Sequence, residues 1–418
     1  MMVRGLRRNE AKTFAPRGAA RPWRLAFAAA LLAGTISAAH AQQAPIKIGV
    51  LNDQSALYAD FGGKGSVEAA QMAVEDFGGK VLNRPIEIVS ADHQNKPDIA
   101  SAIARQWFDA EGVHAITDLT NSAVAIAVQT LARERGKVTL FTGPATTRLI
   151  NEDCSPTGFM WNFDTYTQAI GTGKAIVAEG GKTWFLLVAD YAFGHQMAAD
   201  LRNVVEAGGG KVLGEVKHPV NNADFSSFLL QAQASKAQVI GLSNAGADTI
   251  NAIKQAGEFR IAEAGQKLAG LVVVISDVHS LGLQATQGLY FTTAFYWDTD
   301  DKTRAWSKRF FDRMGRMPGA VHAATYSAVS NYLKAMEAAG TDEGPKVAEK
   351  LRSMEIDDFF GKGRVRADGR FEHGALLAQV KAPSESKAPW DYFKIVRRIA
   401  AEEAVQPLSE SKCPLVKN

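Results

Sequence analysis

Ile46-Lys47-Ile48-Gly49-Val50-Leu51 reads as a β-strand, and the chain that follows it decides the fold. A loop through Asp53 to Gly63 leads into a helix whose Val67, Ala70, Val74 and Phe77 share a face, closed by Gly78-Gly79. Ile86-Glu87-Ile88-Val89 is the next strand, and Pro97 opens a second helix striped by Ile99, Ile103 and Trp107. Residues 113–117 and 138–142 continue as strands with a helix between them. Strands separated by helices imply a mainly parallel sheet covered on both faces.

A second unit of the same build begins near Thr165. Its run Trp184-Phe185-Leu186-Leu187-Val188 is apolar enough for a central strand buried on both sides. A helix over about 196–207 follows, closed by Gly208-Gly209-Gly210. Val239-Ile240-Gly241-Leu242 and Leu271-Val272-Val273-Val274-Ile275 read as further strands, with a helix over about 247–255 between them. Residues 304–351 are mostly helical, and irregular or strand-like segments around 361–380 and 390–396 close the chain. At 418 residues the chain exceeds what one compact core usually supports, so two α/β lobes are expected.

Apolar residues make up 46% and charged residues 22%, as in ordinary globular proteins. The net charge is only +3, and much of the basic excess sits before Leu25. Nothing then favours nucleic acid or a membrane surface as partner. The basic segment precedes an apolar run, Leu25-Ala26-Phe27-Ala28-Ala29-Ala30-Leu31-Leu32-Ala33, and the small-x-small sequence Ala39-His40-Ala41. This reads as an export signal over residues 1–41, and the apolar run is too short to span a bilayer. Cys154 and Cys413 both lie in the exported part, where a pair is expected to form a disulfide.

Ligands of open parallel sheets bind outside the carboxyl ends of the strands. That rule selects Gln54 to Gly63 after the first strand, Leu119-Thr120-Asn121-Ser122 at a helix start, and Thr142-Gly143-Pro144-Ala145-Thr146-Thr147. Hydroxyls and free backbone N–H groups at such positions suit a carboxylate without an Arg. In the second unit it selects Asp190-Tyr191-Ala192-Phe193-Gly194, Ser243-Asn244-Ala245-Gly246 and Ser276-Asp277-Val278-His279. Tyr58, Phe61, Tyr191 and Phe193 thus fall on strand-end loops, where they suit the walls of a small organic site.

In these segments the chain resembles the branched-chain amino-acid binding proteins of ABC importers, the type I periplasmic binding proteins. The likeness is carried by Ile48-Gly49-Val50-Leu51 leading into Ser55 through Gly62, by Asp76-Phe77-Gly78-Gly79 and by Ala91-Asp92-His93-Gln94. Asp190-Tyr191-Ala192-Phe193-Gly194 and Asn222-Ala223-Asp224-Phe225-Ser226-Ser227 follow in the same order. The resemblance implies an α/β fold of two Rossmann-like lobes with parallel sheets, a Venus-flytrap that closes on its ligand. One lobe would comprise 45–163 plus 294–371 and the other 164–293 plus 372–400, with the 401–418 tail tied back by the disulfide. It implies periplasmic capture of a small-molecule ligand by a monomer, delivery to a membrane permease, and no cofactor, metal or catalysis.

Residue roles follow from the same likeness. Phe61 matches an aromatic wall, Asn121-Ser122 and Ala145-Thr146-Thr147 match carboxylate-holding positions, and Phe193 matches the aromatic of the second lobe. Asn244 lies on a second-lobe loop, and Asp277 falls where amino-acid binders place an acid for the ligand's ammonium. Two features depart from the pattern: Ser55-Ala56 replaces Ser-Gly, and Tyr58 makes the first loop more aromatic than an aliphatic ligand needs. Ala294-Phe295-Tyr296-Trp297-Asp298 and the tail Glu410-Ser411-Lys412-Cys413-Pro414 are similar to a subgroup associated with aromatic or other catabolic acids. A small carboxylate, aromatic ones included, ranks first as ligand, a branched-chain or other amino acid second, an amide or urea third.

Three rivals share the fold class. Gly62-Gly63-Lys64-Gly65-Ser66 and Gly171-Thr172-Gly173-Lys174 fail the phosphate-loop pattern GxxxxGK[ST]. Gly241-Leu242-Ser243-Asn244-Ala245 lacks the last Gly of a nucleophile elbow, and a triad would need Asp277 and His322 to converge on Ser243. A ligand-sensing regulator would need an output domain or a membrane span, and the sequence offers neither.

Overall fold

The computed structural model describes residues 44–416, so the export signal expected at 1–41 lies outside the described residues. The first lobe is built on β1 (Ile46–Asn52), α1 (Gly63–Phe77), β2 (Lys80–Val81), β3 (Arg84–Asp92), α2 (Pro97–Asp109), β4 (Val113–Asp118), α3 (Ser122–Glu134), β5 (Val138–Phe141) and β6 (Gly158–Met160). Its sheet has the order β2-β3-β1-β4-β5-β6, parallel throughout except for the β2–β3 hairpin. β1 lies between β3 and β4, with Ile48 opposite Ile88 and Ala115. The winding reverses there, which opens a crevice at the carboxyl ends of β1 and β4.

The second lobe repeats the design. A broken helix, α4 (Thr165–Gln168) and α5 (Lys174–Ala178) joined by a π-helical turn at Ala169–Gly173, leads to β7 (Thr183–Ala189), α6 (Ala192–Ala207), β8 (Lys211–His218), α7 (Ser226–Ala234), β9 (Val239–Ser243), α8 (Ala247–Glu258) and β10 (Lys267–Gly270). The parallel order β10-β9-β7-β8 puts β7 between β8 and β9, a second reversal of the same kind. Two short helices follow, α9 (Ile275–Leu281) and α10 (Leu283–Thr286), then β11 (Tyr290–Thr293), α11 (Asp301–Met314), α12 (Ala320–Ala339) and α13 (Gly344–Ser353). A small hairpin, β12 (Glu355–Asp357) with β13 (Lys362–Arg364), precedes β14 (Ala375–Val380) and β15 (Phe393–Ile399), which join β11 in an antiparallel sheet.

One expectation is corrected. Leu271 to Ile275 is not a strand: β10 ends at Gly270, and α9 begins at Ile275. Four β-branched residues in succession mimic a buried strand, but the edge strand β10 is short and the chain leaves it at the ligand face. On α1 the expected face, Val67, Ala70, Val74 and Phe77, does pack against the core, and the most deeply buried residues beside it are Gly65, Ser66, Ala69, Met72 and Ala73. Small residues let α12 come close: a Cβ on Gly65 would lie 2.5 Å from His322 Nε2. Burial holds His322 down at about 3, so it is neutral. Its Nδ1 accepts from Gly319 N–H and its Nε2–H donates to Gly62 O, both at 3.0 Å.

Gly171-Thr172-Gly173-Lys174 lies inside the helical segment, with Thr172 hydrogen-bonded to Thr292, and is not a phosphate loop. Cys154 is joined to Cys413 across a sequence separation of 259. Beside the bridge, Asn151 Nδ2 donates to Gln406 Oε1 and Lys412 N–H donates to Asn151 Oδ1. Replacing both cysteines by Ser should cost about 2–5 kcal/mol, seen as a lower denaturant midpoint and as earlier proteolysis of the C-terminal tail.

Candidate functional site

The carboxyl ends of both sheets meet over a narrow cavity. From the first lobe it is lined by Tyr58 and Phe61 on the β1–α1 loop, Thr120, Asn121 and Ser122 after β4, and Gly143, Pro144 and Ala145 after β5. Phe163 reaches it after β6, Tyr191 and Phe193 after β7, Ala245 after β9, and Val272 after β10. Among the described residues, no Asp, Glu, Lys or Arg lines it.

The first loop is folded by a single carboxylate. Asp53 Oδ1 accepts from Ala56 N–H at 2.8 Å and Oδ2 from Tyr58 N–H at 2.9 Å. This turn aims the Tyr58 ring across the cleft, where its hydroxyl meets that of Tyr191 at 2.5 Å. Burial pushes both phenols above their ordinary range, so both stay protonated. Ala247 N–H reaches Leu57 O at 3.4 Å and Ser276 Oγ donates to Asp60 O at 3.2 Å, so the same loop touches the second lobe at three places.

Polar donors gather at the first-lobe end. Asn121 caps α3, its Oδ1 accepting from Ala123 and Val124 N–H at 2.8 and 3.1 Å. Its amide nitrogen is spent on Asn95 Oδ1. Ser122, the first residue of α3, keeps its own N–H without a protein acceptor, and its Oγ accepts from Thr146 N–H at 3.3 Å, leaving the hydroxyl proton free. Ala145 N–H likewise has no protein partner, while Ala145 O accepts from Thr165 N–H. Two N–H groups and a hydroxyl at a helix start form a cradle for an anion.

The structure brings seven of the expected residues to the cavity: Tyr58, Phe61, Asn121, Ser122, Ala145, Tyr191 and Phe193. The others lie behind it or apart from it. Thr146 is buried and spends its hydroxyl oxygen on Arg148 N–H, and Thr147 is buried in the following turn. Asn244 is enclosed, its Nδ2 donating to His218 Nε2 at 3.1 Å and its Oδ1 accepting from Thr249 at 2.7 Å. Asp277 accepts from Val274 N–H at 3.0 Å at the start of α9 and does not line the cavity. Ser243, Asp277 and His322 form no hydrogen bonds with one another; His322 is committed to Gly62 and Gly319. Phe163 and Val272 were missed. Phe163 follows a strand end and the same rule reaches it, whereas Val272 was hidden by the strand expected over it.

Comparison with known proteins agrees with this geometry. The family model for periplasmic binding proteins matches residues 45–387, and the chain belongs to that family, in its type I branch. A periplasmic binding protein from Burkholderia mallei is 51% identical, with a TM-score of 0.88 over 89% of this chain and 99% of that one. A branched chain amino acid ABC transporter periplasmic ligand-binding protein from Burkholderia xenovorans LB400 is 42% identical, with a TM-score of 0.80 over 88% and 99%. The Leu/Ile/Val-binding protein homolog 6 of Brucella melitensis is 23% identical over 337 residues, 78% of this chain and 85% of that protein. The protein is a substrate-binding component of an ABC transporter, a class that works in the periplasm with a ligand and a permease as partners.

Burial pushes the Asp277 carboxyl up to about 7. A carboxyl raised in the folded state leaves stability intact below its unfolded value, near ~3.9, and removes it as pH rises through the folded value. Asp277→Asn retains an oxygen for Val274 N–H and cannot ionise. It should therefore flatten the decline in stability between about pH 4 and about pH 7 by on the order of 1 kcal/mol or more, measured as urea midpoints against wild type.

Proposed function

We propose that the protein captures a small carboxylate with an apolar, preferably aromatic, body and presents it to the permease in a closed form. The observation that carries this reading is the composition of the cavity. Tyr58, Phe61, Phe163, Tyr191 and Phe193 surround it, and the free Ser122 and Ala145 donors lie at one end. A carboxylate is satisfied by these donors without a cationic side chain, and rings fill the remaining volume. An amino acid is the second reading, favoured by the name of the Burkholderia xenovorans relative. Against it stands the lack of any acidic side chain lining the cavity, since Asp277 is committed to α9.

Closure would turn on three crossings, near Phe163, Thr293 and Phe371. They lie between β6 and the second sheet, between β11 and α11, and just after Arg370, which pairs with Met160 at the end of β6. The open form would separate Tyr58 from Tyr191 and admit the ligand.

A thermal-shift screen against aromatic acids, aliphatic acids, amino acids and amides should give its largest shift with an aromatic or apolar monocarboxylate. Ser122→Ala should then weaken binding of that ligand by about 5- to 50-fold in calorimetry, while Thr147→Ala, behind the cavity, leaves it unchanged. Equal affinity of the Ser122 variant and wild type would overturn the assignment of the carboxylate end.

A further inference from the structure

Two pieces of backbone, one from each lobe, meet beside the cavity with no room for a side chain between them. The first is the loop after β1, folded on Asp53, whose Leu57 carbonyl is directed at the other lobe. The second is the start of α8. Asp248, in its first turn, is buried and accepts from Asn221 N–H at 3.1 Å and Asn222 N–H at 2.7 Å, which pins α8 to the loop after β8. Neither piece can shift without breaking bonds inside its own lobe.

Gly246 stands at the meeting point. It precedes α8 at φ 61° and ψ −139°, a conformation that residues with a Cβ rarely adopt, and it offers the helix no side-chain cap. A Cβ here would lie 2.6 Å from Leu57 O and 3.0 Å from Tyr58 Cδ1. The nearer of these is a backbone atom of the opposite lobe and cannot swing aside. With only hydrogen at that position, Leu57 O approaches the helix start and accepts from Ala247 N–H at 3.4 Å. The first N–H groups of a helix have no partners within it and favour an acceptor at that end. The first lobe thus supplies a cap that α8 lacks in its own lobe.

We infer that Gly246 and Ala247 form the seat on which the closed cleft rests, and that they set ligand affinity without touching the ligand. Neither lines the cavity, although the neighbouring Ala245 and Tyr58 do. The inference rests on the closure described above, since Leu57 can cap α8 only while the lobes are together. The contact lowers the free energy of the closed form, and a ligand held by that form is bound more tightly in proportion.

Ala247→Pro isolates the contact. Proline suits the first helical position, where its missing N–H costs no bond within the helix. Its ring nevertheless removes the donor and sets a methylene against Leu57 O. The ligand-free variant should melt at or above the wild-type temperature, whereas ligand should bind it roughly 5- to 30-fold more weakly. The loss should fall on the dissociation rate, with association within about twofold of wild type, because ligand enters the open form. Gly246→Ala should weaken binding as well and, being strained in both forms, should also lower the melting temperature. Gly257→Ala, near the far end of α8 where an added Cβ meets nothing within 4 Å, should raise the melting temperature and leave affinity unchanged.

The probes are benzoate, 3-phenylpropanoate, phenylalanine, leucine and benzamide, with affinities from calorimetry and rates from stopped-flow fluorescence on the purified protein. Each variant is compared with wild type for the probe that wild type binds best. Small-angle scattering of wild type with and without that probe separates the two levels of the argument. Contraction on binding, together with wild-type affinity and dissociation rate in Ala247→Pro, would overturn the seat and leave closure standing. Tight binding without contraction would overturn closure and the seat with it.

Discussion

Parallel strands cannot be joined by tight turns. Each needs a crossover that returns the chain to the same end of the sheet, and here each crossover between parallel neighbours carries a helix or a longer loop. Most other features of the molecule follow from this constraint. It sends each loop that leaves a strand to the same end of its lobe, and reversal of winding beside β1 and β7 spreads those loops apart. Facing one another, the two ends supply the residues that line the cavity: 58, 61, 120 to 122, 143 to 145 and 163 from one lobe, and 191, 193, 245 and 272 from the other. The helix starts supply unpaired N–H groups at that same end, which explains how an anion site can exist without a cationic side chain.

This logic also accounts for what could be read from the sequence. Period and punctuation identify β1, β3, β4, β5, β7 and β9 because their apolar runs are bounded by glycine or by helix caps. The strand-end rule then selects Tyr58, Phe61, Ser122, Ala145, Tyr191 and Phe193 without any knowledge of packing. Other features depend on information that no local pattern carries. Leu271 to Ile275 has the composition of a buried strand, but the neighbouring β9 ends at Ser243, so the chain beyond Gly270 has almost no strand left to pair with. Thr146, Asn244 and Asp277 sit on the correct loops, but their side chains turn inward to satisfy Arg148, His218 and Val274. Loop membership is legible in one dimension, whereas side-chain direction is decided by which buried backbone groups would otherwise lack partners.

The glycines illustrate the difference. In the sequence Gly62 and Gly143 look like ordinary loop punctuation. In three dimensions neither is needed for a left-handed backbone; each is needed because a carboxylate and a hydroxyl occupy the space a Cβ would take. His322 does the same on the other side of the first loop, filling the space above Gly65 while tying Gly62 O to α12. The floor of the cavity is thus held by buried hydrogen bonds, in which the Asp53 and Asp118 carboxyl groups accept from neutral donors, rather than by exposed ion pairs, and a neutral histidine at about 3 stays neutral through ordinary pH changes.

Few bonds join the first loop to the second lobe directly: Tyr58 to Tyr191, Leu57 O to Ala247, and Asp60 O to Ser276. A net hydrogen bond contributes about 1 kcal/mol, and moving a two-state equilibrium from almost fully open to almost fully closed takes about 5.5 kcal/mol. Three such bonds, one of them long, do not supply that difference once the loss of solvation of both cleft faces is counted. In the proposed closure the ligand supplies it, through ring contacts to both lobes and through donors that are unpaired without it. Selectivity and coupling of closure to occupancy then have a common origin in the few buried polar groups that only the correct ligand completes.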